Sequence, residues 1–488
     1  MRRRAAAASA VAAVAVVALA FAQPAGAFAR AGTSPASKIK ATLNVIGPQN
    51  GGGEPSVAIG PEGNVYVSAP GSGMEFWRST DHGKTFTQGS SPESPSGDTS
   101  VNVDSSGAVY ETNLNVISGT NTLQVDVFKS FDFGATWPQK GTSTLESSNS
   151  SGQPLLVDRQ WVDAYIPPGK TTDQAQVYVT YHDFGPGTMW VSSSSDGGKT
   201  FGLPTDIIND PVAAADSFCN TIPGSVKVVP NGSHAGRVYV AWLAADPANP
   251  ATGCNETQLA AFHTVWIAYS DDNGATWKDQ LVFDGGLLHD GSEIFADMTL
   301  DNQGNPYVAF SMNLKDEFDV WVEASFDGGQ TWNGKSDGTG QPYQANVDKG
   351  THYFASISAG NPGQIDVAFI RTDTIVGTLP NGKPDPSTDS TASWNVYAAQ
   401  SKTLLSGTPK FKVVKLSTSP MHVGDVCTLG LFCAAVPGTN RDILDFIDVA
   451  VDHFGLFHVA YTDDNNYAAG ALVMANQVAG PTVGSGGH

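Results

Sequence analysis

The segment STDHGKTF, Ser79 to Phe86, recurs four times: SFDFGATW from Ser130 to Trp137, SSDGGKTF from Ser194 to Phe201, SDDNGATW from Ser270 to Trp277 and SFDGGQTW from Ser325 to Trp332. A Ser-x-Asp-x-Gly-x-Thr-aromatic pattern kept five times in one chain is an internal repeat, and a repeat fixes the architecture before any single residue does. Each position has a physical reason. The carboxylates of Asp81, Asp132, Asp196, Asp272 and Asp327 can accept bonds from turn amides, while the Gly two residues on takes φ > 0 without a Cβ clash. The closing Trp or Phe is expected to start the next strand and to bury a large surface.

Working outward, an alternating strand precedes each box: Glu75 to Ser79, Gln124 to Ser130, Met189 to Ser194, Val265 to Ser270 and Asp319 to Ser325. Before each of these stands a Tyr- and Val-rich strand that occurs seven times: VYVSA from Val65, VYETN from Val109, VYVTY from Val177, VYVAW from Val238, PYVAF from Pro306, IDVAF from Ile365 and FHVAY from Phe457. A further alternating strand introduces each one. The unit is therefore four strands with the box turn between the third and fourth. The sixth copy keeps its third strand, Trp394 to Ser401, but has lost the box, and the seventh ends at Ala471 to Gln477 with no room for a fourth strand. Lys38 to Ile46 (KIKATLNVI) has the alternation to supply it, closing a ring and removing free sheet edges. Gln139 to Gln153 and Thr372 to Ser393, rich in small and polar residues, are expected as long loops.

Composition agrees with an all-β chain: 488 residues, 15% charged, with 53 Gly and 29 Pro. Residues 1–27 carry Arg2-Arg3-Arg4, an Ala/Val-rich stretch and Ala25-Gly26-Ala27, the pattern of a cleaved secretory signal. Residues 28–478 are expected to form one domain and 479–488 a flexible tail. The net charge of −21 argues against nucleic acid, and no later stretch is apolar enough for a membrane span. The reading is a secreted monomer. Four cysteines, Cys219, Cys254, Cys427 and Cys433, allow three pairings, of which Cys219–Cys254 with Cys427–Cys433 follows the spacing. His182-Asp183, His453 with His458, and Asp463-Asp464-Asn465-Asn466 contain metal-ligating types, the last suited to Ca²⁺, but no complete ligand spacing appears. No metal or cofactor is expected.

The five boxes resemble the Asp boxes, or bacterial neuraminidase repeats, of the sialidase-like β-propellers, and the repeats cover nearly all of the mature chain. The resemblance implies an Asp-box propeller, to which the seven strand pairs of this chain give seven blades, with the six blades of classical sialidases as the alternative. It also implies that the box aspartates are turn-formers on the face away from the ligand, and that ligands bind where the innermost strands begin. Glu54, Asp98, Asp158, Arg159, Trp161, Glu293, His352, Tyr353 and Arg441 project onto that face from the strand starts, as do Asp183 and Arg371 from the second strands. Sialidase chemistry uses three arginines to hold a carboxylate, a Tyr nucleophile with a Glu partner, and an Asp acid-base. Carried onto this chain, these become Arg159, Arg371 and Arg441, Tyr353 with Glu293, and Asp98 or Asp183, with Trp161 and His352 as further contacts. The Arg-Ile-Pro segment of classical sialidases is absent, and Gly53-Glu54-Pro55-Ser56 stands in its place. The expected activity is sialidase-type hydrolysis of a terminal acidic sugar on an extracellular glycan or glycoprotein. The alternative is a non-catalytic propeller that binds a glycan or a protein through the same face.

Overall fold

The computed structural model describes residues 38–48, 53–71, 73–94, 96–116, 123–144, 157–183, 188–245, 261–315, 317–376, 391–430, 433, 439–467 and 470–484. The expected signal peptide, 1–27, lies outside them. Seven antiparallel sheets succeed one another, each a blade. Blade 1 is Ser56–Ile59, Val65–Ala69, Glu75–Ser79 and Thr87–Gln88; blade 2 is Thr99–Val103, Val109–Val116, Leu123–Ser130 and Gln139–Thr142. Blade 3 comprises Val157–Tyr165, Gln176–Asp183, Thr188–Ser194 and Thr205–Asp206, and blade 4 Asn220–Val228, Val238–Ala245, Phe262–Ser270 and Lys278–Asp284. Blade 5 is Asp297–Leu300, Pro306–Met312, Asp319–Ala324 and Tyr343–Gln344. Blade 6, Thr351–Ala359, Ile365–Thr372, Ser393–Ser401 and Phe411–Lys415, gains a fifth strand, His422–Val423, on Ser393 and Trp394. Blade 7 is Asp448–Val451, Phe457–Asp463 and Ala471–Ala479, completed by the N-terminal Lys40–Pro48. Seven blades, not six, and closure by the first strand are thus what the chain adopts.

The box turns follow one hydrogen-bond plan. In each, the Ser Oγ donates to the Asp Oδ1 at 2.8 Å, and the Asp accepts from the Thr amide and the Thr hydroxyl, as Asp272 does from Thr276 at 2.8 and 2.6 Å. Two successive residues, such as His82 and Gly83 or Asn273 and Gly274, take positive φ, which is why Gly holds the second place. In none of the five boxes does the aromatic itself start the fourth strand, which begins one or more residues later, at Thr87, Gln139, Thr205, Lys278 or Tyr343. Trp332 is fully buried, and the fourth strand of blade 5 begins only at Tyr343. Gln139, expected to open a loop, instead begins the fourth strand of blade 2, because the edge of Leu123–Ser130 supplies its partners from Asp126 to Lys129. Of the expected tail, Val483 is buried and its carbonyl accepts from the Asn361 amide at 2.8 Å, while 485–488 lie outside the described residues.

Apolar faces between neighbouring blades form the core. Along the axis the joint is polar, and side chains on the innermost strands accept from the amides of the next blade all the way round. Ser56 accepts from Val101, Ser100 from Val162, Asp163 from Val228, Ser225 from Met298, Asp297 from Ile357, Ser356 from Val449 and Asp448 from Val57, at 2.7 to 3.4 Å. The last of these joins blade 7 to blade 1. Buried polar groups so paired hold the innermost strands in fixed register, and thereby fix the positions of whatever lies at their ends.

Candidate functional site

A cavity of about 150 Å³ opens where the innermost strands begin. Glu54 precedes blade 1, Asp98 blade 2 and Glu293 blade 5; Asp158 and Arg159 lie at the start of blade 3; Arg441 and Asp445 approach from the connection into blade 7. His182, Ile222, Phe295, Gly430 and Leu444 complete the wall. The backbone is unusual here. Glu54, Arg159 and Leu444, all lining the cavity, have φ of +60°, +40° and +55°, and Ser292, next to Glu293, has +56°. Such conformations are costly for residues with a Cβ, and their clustering at one cavity makes it the candidate site.

Aromatic rings close the bottom. Trp161 meets Phe295 with centroids 5.4 Å apart, and Phe446 packs on both. The Arg159 guanidinium carbon lies 4.3 Å from the Trp161 ring centre and 4.2 Å from that of Phe446, so the cation packs against two neighbouring rings. Arg159 is 1% exposed. Its Nη1 donates to the Thr99 carbonyl at 2.9 Å, while Nε and Nη2 have no acceptor among the described residues. Below the aromatics runs the polar channel bordered by Trp161, Lys227, Asp297 and Asp448.

Burial and crowding dominate the electrostatics. Glu54 is pushed well up by desolvation, with the charges of Asp98 and Asp445 adding to it; Asp158 is pushed up to about 8 by desolvation and then Asp98. Asp445 is raised by desolvation against its ion pair with Arg441 and a hydrogen bond with Glu54. Desolvation lowers His182 to about 4, against its bond to the Thr221 carbonyl, so its imidazole is neutral. The cavity therefore combines carboxyl groups that burial shifts toward the protonated form, Asp158 among them, with the buried Arg159 guanidinium.

Of the residues projected from sequence, Glu54, Asp98, Asp158, Arg159, Glu293 and Arg441 come together at this cavity, with Trp161 beneath it. Tyr353, Arg371, His352 and Asp183 do not line it. Tyr353 is fully buried, stacked on Trp394 at 5.2 Å and edge-on to Phe318, and its hydroxyl has no partner among the described residues. Arg371 is held by Asp348 at 2.7 Å and Asp373 at 2.6 Å, and the same Asp348 reaches His352 at 3.3 Å. Asp183 is buried at the end of the second strand of blade 3. The three arginines thus do not converge. Cys427 and Cys433 form a disulfide with Cα atoms 6.0 Å apart. Cys219 is disulfide-bonded, whereas Cys254 lies outside the described residues.

Ile222, Phe295, Gly430, Leu444 and Asp445 line the cavity without having been singled out from sequence. Gly430 sits in the disulfide loop, where a Cβ would meet Glu293 Oε2 at 2.4 Å, and Thr428 of that loop accepts from the Glu293 amide at 3.1 Å. The loop is a clasp that holds Glu293, and the Cys427–Cys433 spacing was its only trace in the sequence. Among the described residues no group of three or more His, Cys, Asp or Glu side chains is arranged to hold a metal ion, and no helix is long and apolar enough to cross a membrane.

No family model matches the chain. Solved structures are similar to it at low identity. A polysaccharide lyase of family PL25, an ulvan lyase bound to a GlcA(1-4)Rha3S unit, is 12% identical with a TM-score of 0.48, covering 91% of this chain and 97% of its own. A protein of unknown function from Dyadobacter fermentans is 13% identical (TM-score 0.42, 90% and 98%), and the intramolecular trans-sialidase from Ruminococcus gnavus is 12% identical (0.39, 87% and 93%).

Proposed function

We propose that the axial cavity binds a glycosyl unit and hydrolyses its glycosidic bond, in a protein exported to a compartment where disulfides persist. The supporting observation is the convergence of five carboxyl groups, Glu54, Asp98, Asp158, Glu293 and Asp445, on a cavity with a buried cation and an aromatic wall. Glycoside hydrolysis asks for one carboxyl group that is protonated and one that is charged. Asp158, held up near 8, is the proton donor to the departing oxygen. As the C–O bond breaks, the negative charge of Asp98 stabilises the positive anomeric carbon; water adds there and its proton returns to the carboxyl cluster. Arg159 and Arg441 orient the sugar, and Glu293 is positioned by the disulfide loop. Tyr353 and Arg371 have no part in this reading, since one is buried among aromatics and the other is occupied by Asp348 and Asp373.

The test is turnover of a panel of fluorogenic glycosides by the purified mature protein and by Asp158→Asn. Turnover of at least one glycoside, reduced about 100-fold or more in the variant, is expected. Binding of glycans with no turnover between pH 4 and 8 removes the hydrolytic step and leaves a lectin-like propeller; turnover indifferent to Asp158→Asn moves the chemistry elsewhere.

A further inference from the structure

We infer that the unit admitted to the axial cavity is an uncharged, hydroxyl-rich sugar ring, and that a ring differing only by a carboxylate is excluded. This rests on reading the cavity as a glycan site. Two sets of groups need partners there. Arg159, 1% exposed and packed on Trp161 and Phe446, offers Nε and Nη2 without acceptors among the described residues, so a ligand that brings an acceptor is favoured. Around it stand the carboxyl groups of Glu54, Asp98, Asp158 and Asp445, with the charge of Arg441 already matched by Asp445.

A sugar hydroxyl meets both demands at once, accepting from the guanidinium and donating to a carboxylate. An ammonium group only donates and would leave Arg159 unpaired. A carboxylate only accepts; it would satisfy Arg159 but place a further acid among the carboxyl groups of Glu54, Asp98, Asp158 and Asp445 that already line the same small cavity. Phe295 in the wall offers an apolar face to the C–H side of a ring, and about 150 Å³ suits one small ring rather than a branched acidic sugar. A neutral ring thus stands as the proposed unit, where the resemblance of the box repeats implies a terminal acidic sugar.

Matched ligands decide it. Binding of the methyl glycosides of glucose, galactose, mannose, xylose and arabinose to the full chain would be measured by saturation-transfer NMR and calorimetry. Glucuronate, galacturonate, N-acetylneuraminate and glucosamine provide the charged counterparts. At least one neutral ring is expected to bind, with its charged counterpart weaker by about tenfold or more. Arg159→Met should lose the neutral ring, and Asp98→Asn, in case the first variant does not fold, should narrow the neutral-to-uronate gap by about threefold or more. A uronate or N-acetylneuraminate binding as tightly as its neutral counterpart, or a gap unmoved by Asp98→Asn, overturns the inference and leaves the glycan reading intact. Failure of every sugar to bind at millimolar concentration overturns both.

Discussion

Glu323, in the third strand of blade 5, presents the sharpest electrostatic test in the molecule. It is fully buried, neither carboxyl oxygen has a hydrogen-bond partner among the described residues, and desolvation alone pushes its pKa from 4.5 up to about 9. The folded state therefore keeps a proton that the unfolded chain releases above pH 4.5, and stability falls as pH rises through the interval between the two values. Each pH unit there costs about 1.4 kcal/mol, or roughly 6 kcal/mol across the interval as an upper limit, since water entry would soften it. Glu323→Gln removes the titration while keeping the shape. Urea denaturation of both proteins at pH 5, 6, 7 and 8 should give stabilities within about 1 kcal/mol at pH 5, with the variant gaining about 1.4 kcal/mol per unit thereafter. All other buried acids are common to both proteins and cancel in the difference. A gap that stays flat within about 0.5 kcal/mol from pH 5 to 8 would refute the argument, because the slope follows from the unpaired burial alone.

Turnover in the wild type should fall above pH about 8 as the Asp158 proton is lost, and a pH–rate profile of kcat/KM on any accepted glycoside shows the limb; activity rising past pH 9 would exclude Asp158 as the donor. Tyr353→Phe, which deletes an unpartnered buried hydroxyl, should change stability by about 1 kcal/mol or less and leave turnover intact, whereas a tenfold loss would return the tyrosine to the chemistry. Asp272→Ala, losing its bonds from Ser270 and Thr276 in an exposed turn, should cost about 1–2 kcal/mol in denaturant melts with no effect on turnover. Desolvated acids are lost as stabilisers with rising pH. The box acids act oppositely: Asp81 and Asp272, lowered to about 2 by their hydrogen bonds, contribute above pH 4 and lose that contribution as pH falls toward 2. Thermal melts should thus peak near pH 4 to 5, and a maximum at pH 8 or above would contradict both assignments.

Much of the architecture is legible because its units repeat a local chemistry. The box pattern and the Tyr/Val strands name nearly every third and second strand, and the lone N-terminal alternation at Lys40–Pro48 finds the one blade that lacks a partner. Strands without their own alternation are invisible: QKGT at Gln139–Thr142 pairs because its neighbour's edge is available, not because its sequence asks for it. At the site, strand order brings the right segments to one end, so Asp98, Asp158, Arg159, Glu293 and Arg441 are found from position alone. What each side chain touches is not. Arg371 and Arg441 look alike in sequence, yet one is taken up by Asp348 and Asp373 while the other reaches the cavity. The positive φ of Glu54, Arg159 and Leu444 has no sequence mark at all, because none of them is Gly.

The axial bonds that run from Ser56 round to Asp448 and back to Val57 have a topological corollary. They treat the seven blades as equivalent links, although the covalent chain is cut inside only one of them, where Lys40 lies opposite Ala479. The cut can be moved. A circular permutant that joins the present ends across blade 7 and opens the exposed turn at Leu287 and Leu288 keeps every link. Excising one blade removes a link and strands an acceptor on one side of the gap and an amide on the other. Such a molecule has to find a sixfold closure for side chains spaced for seven, so tolerance of new termini and intolerance of blade deletion are two faces of one geometry.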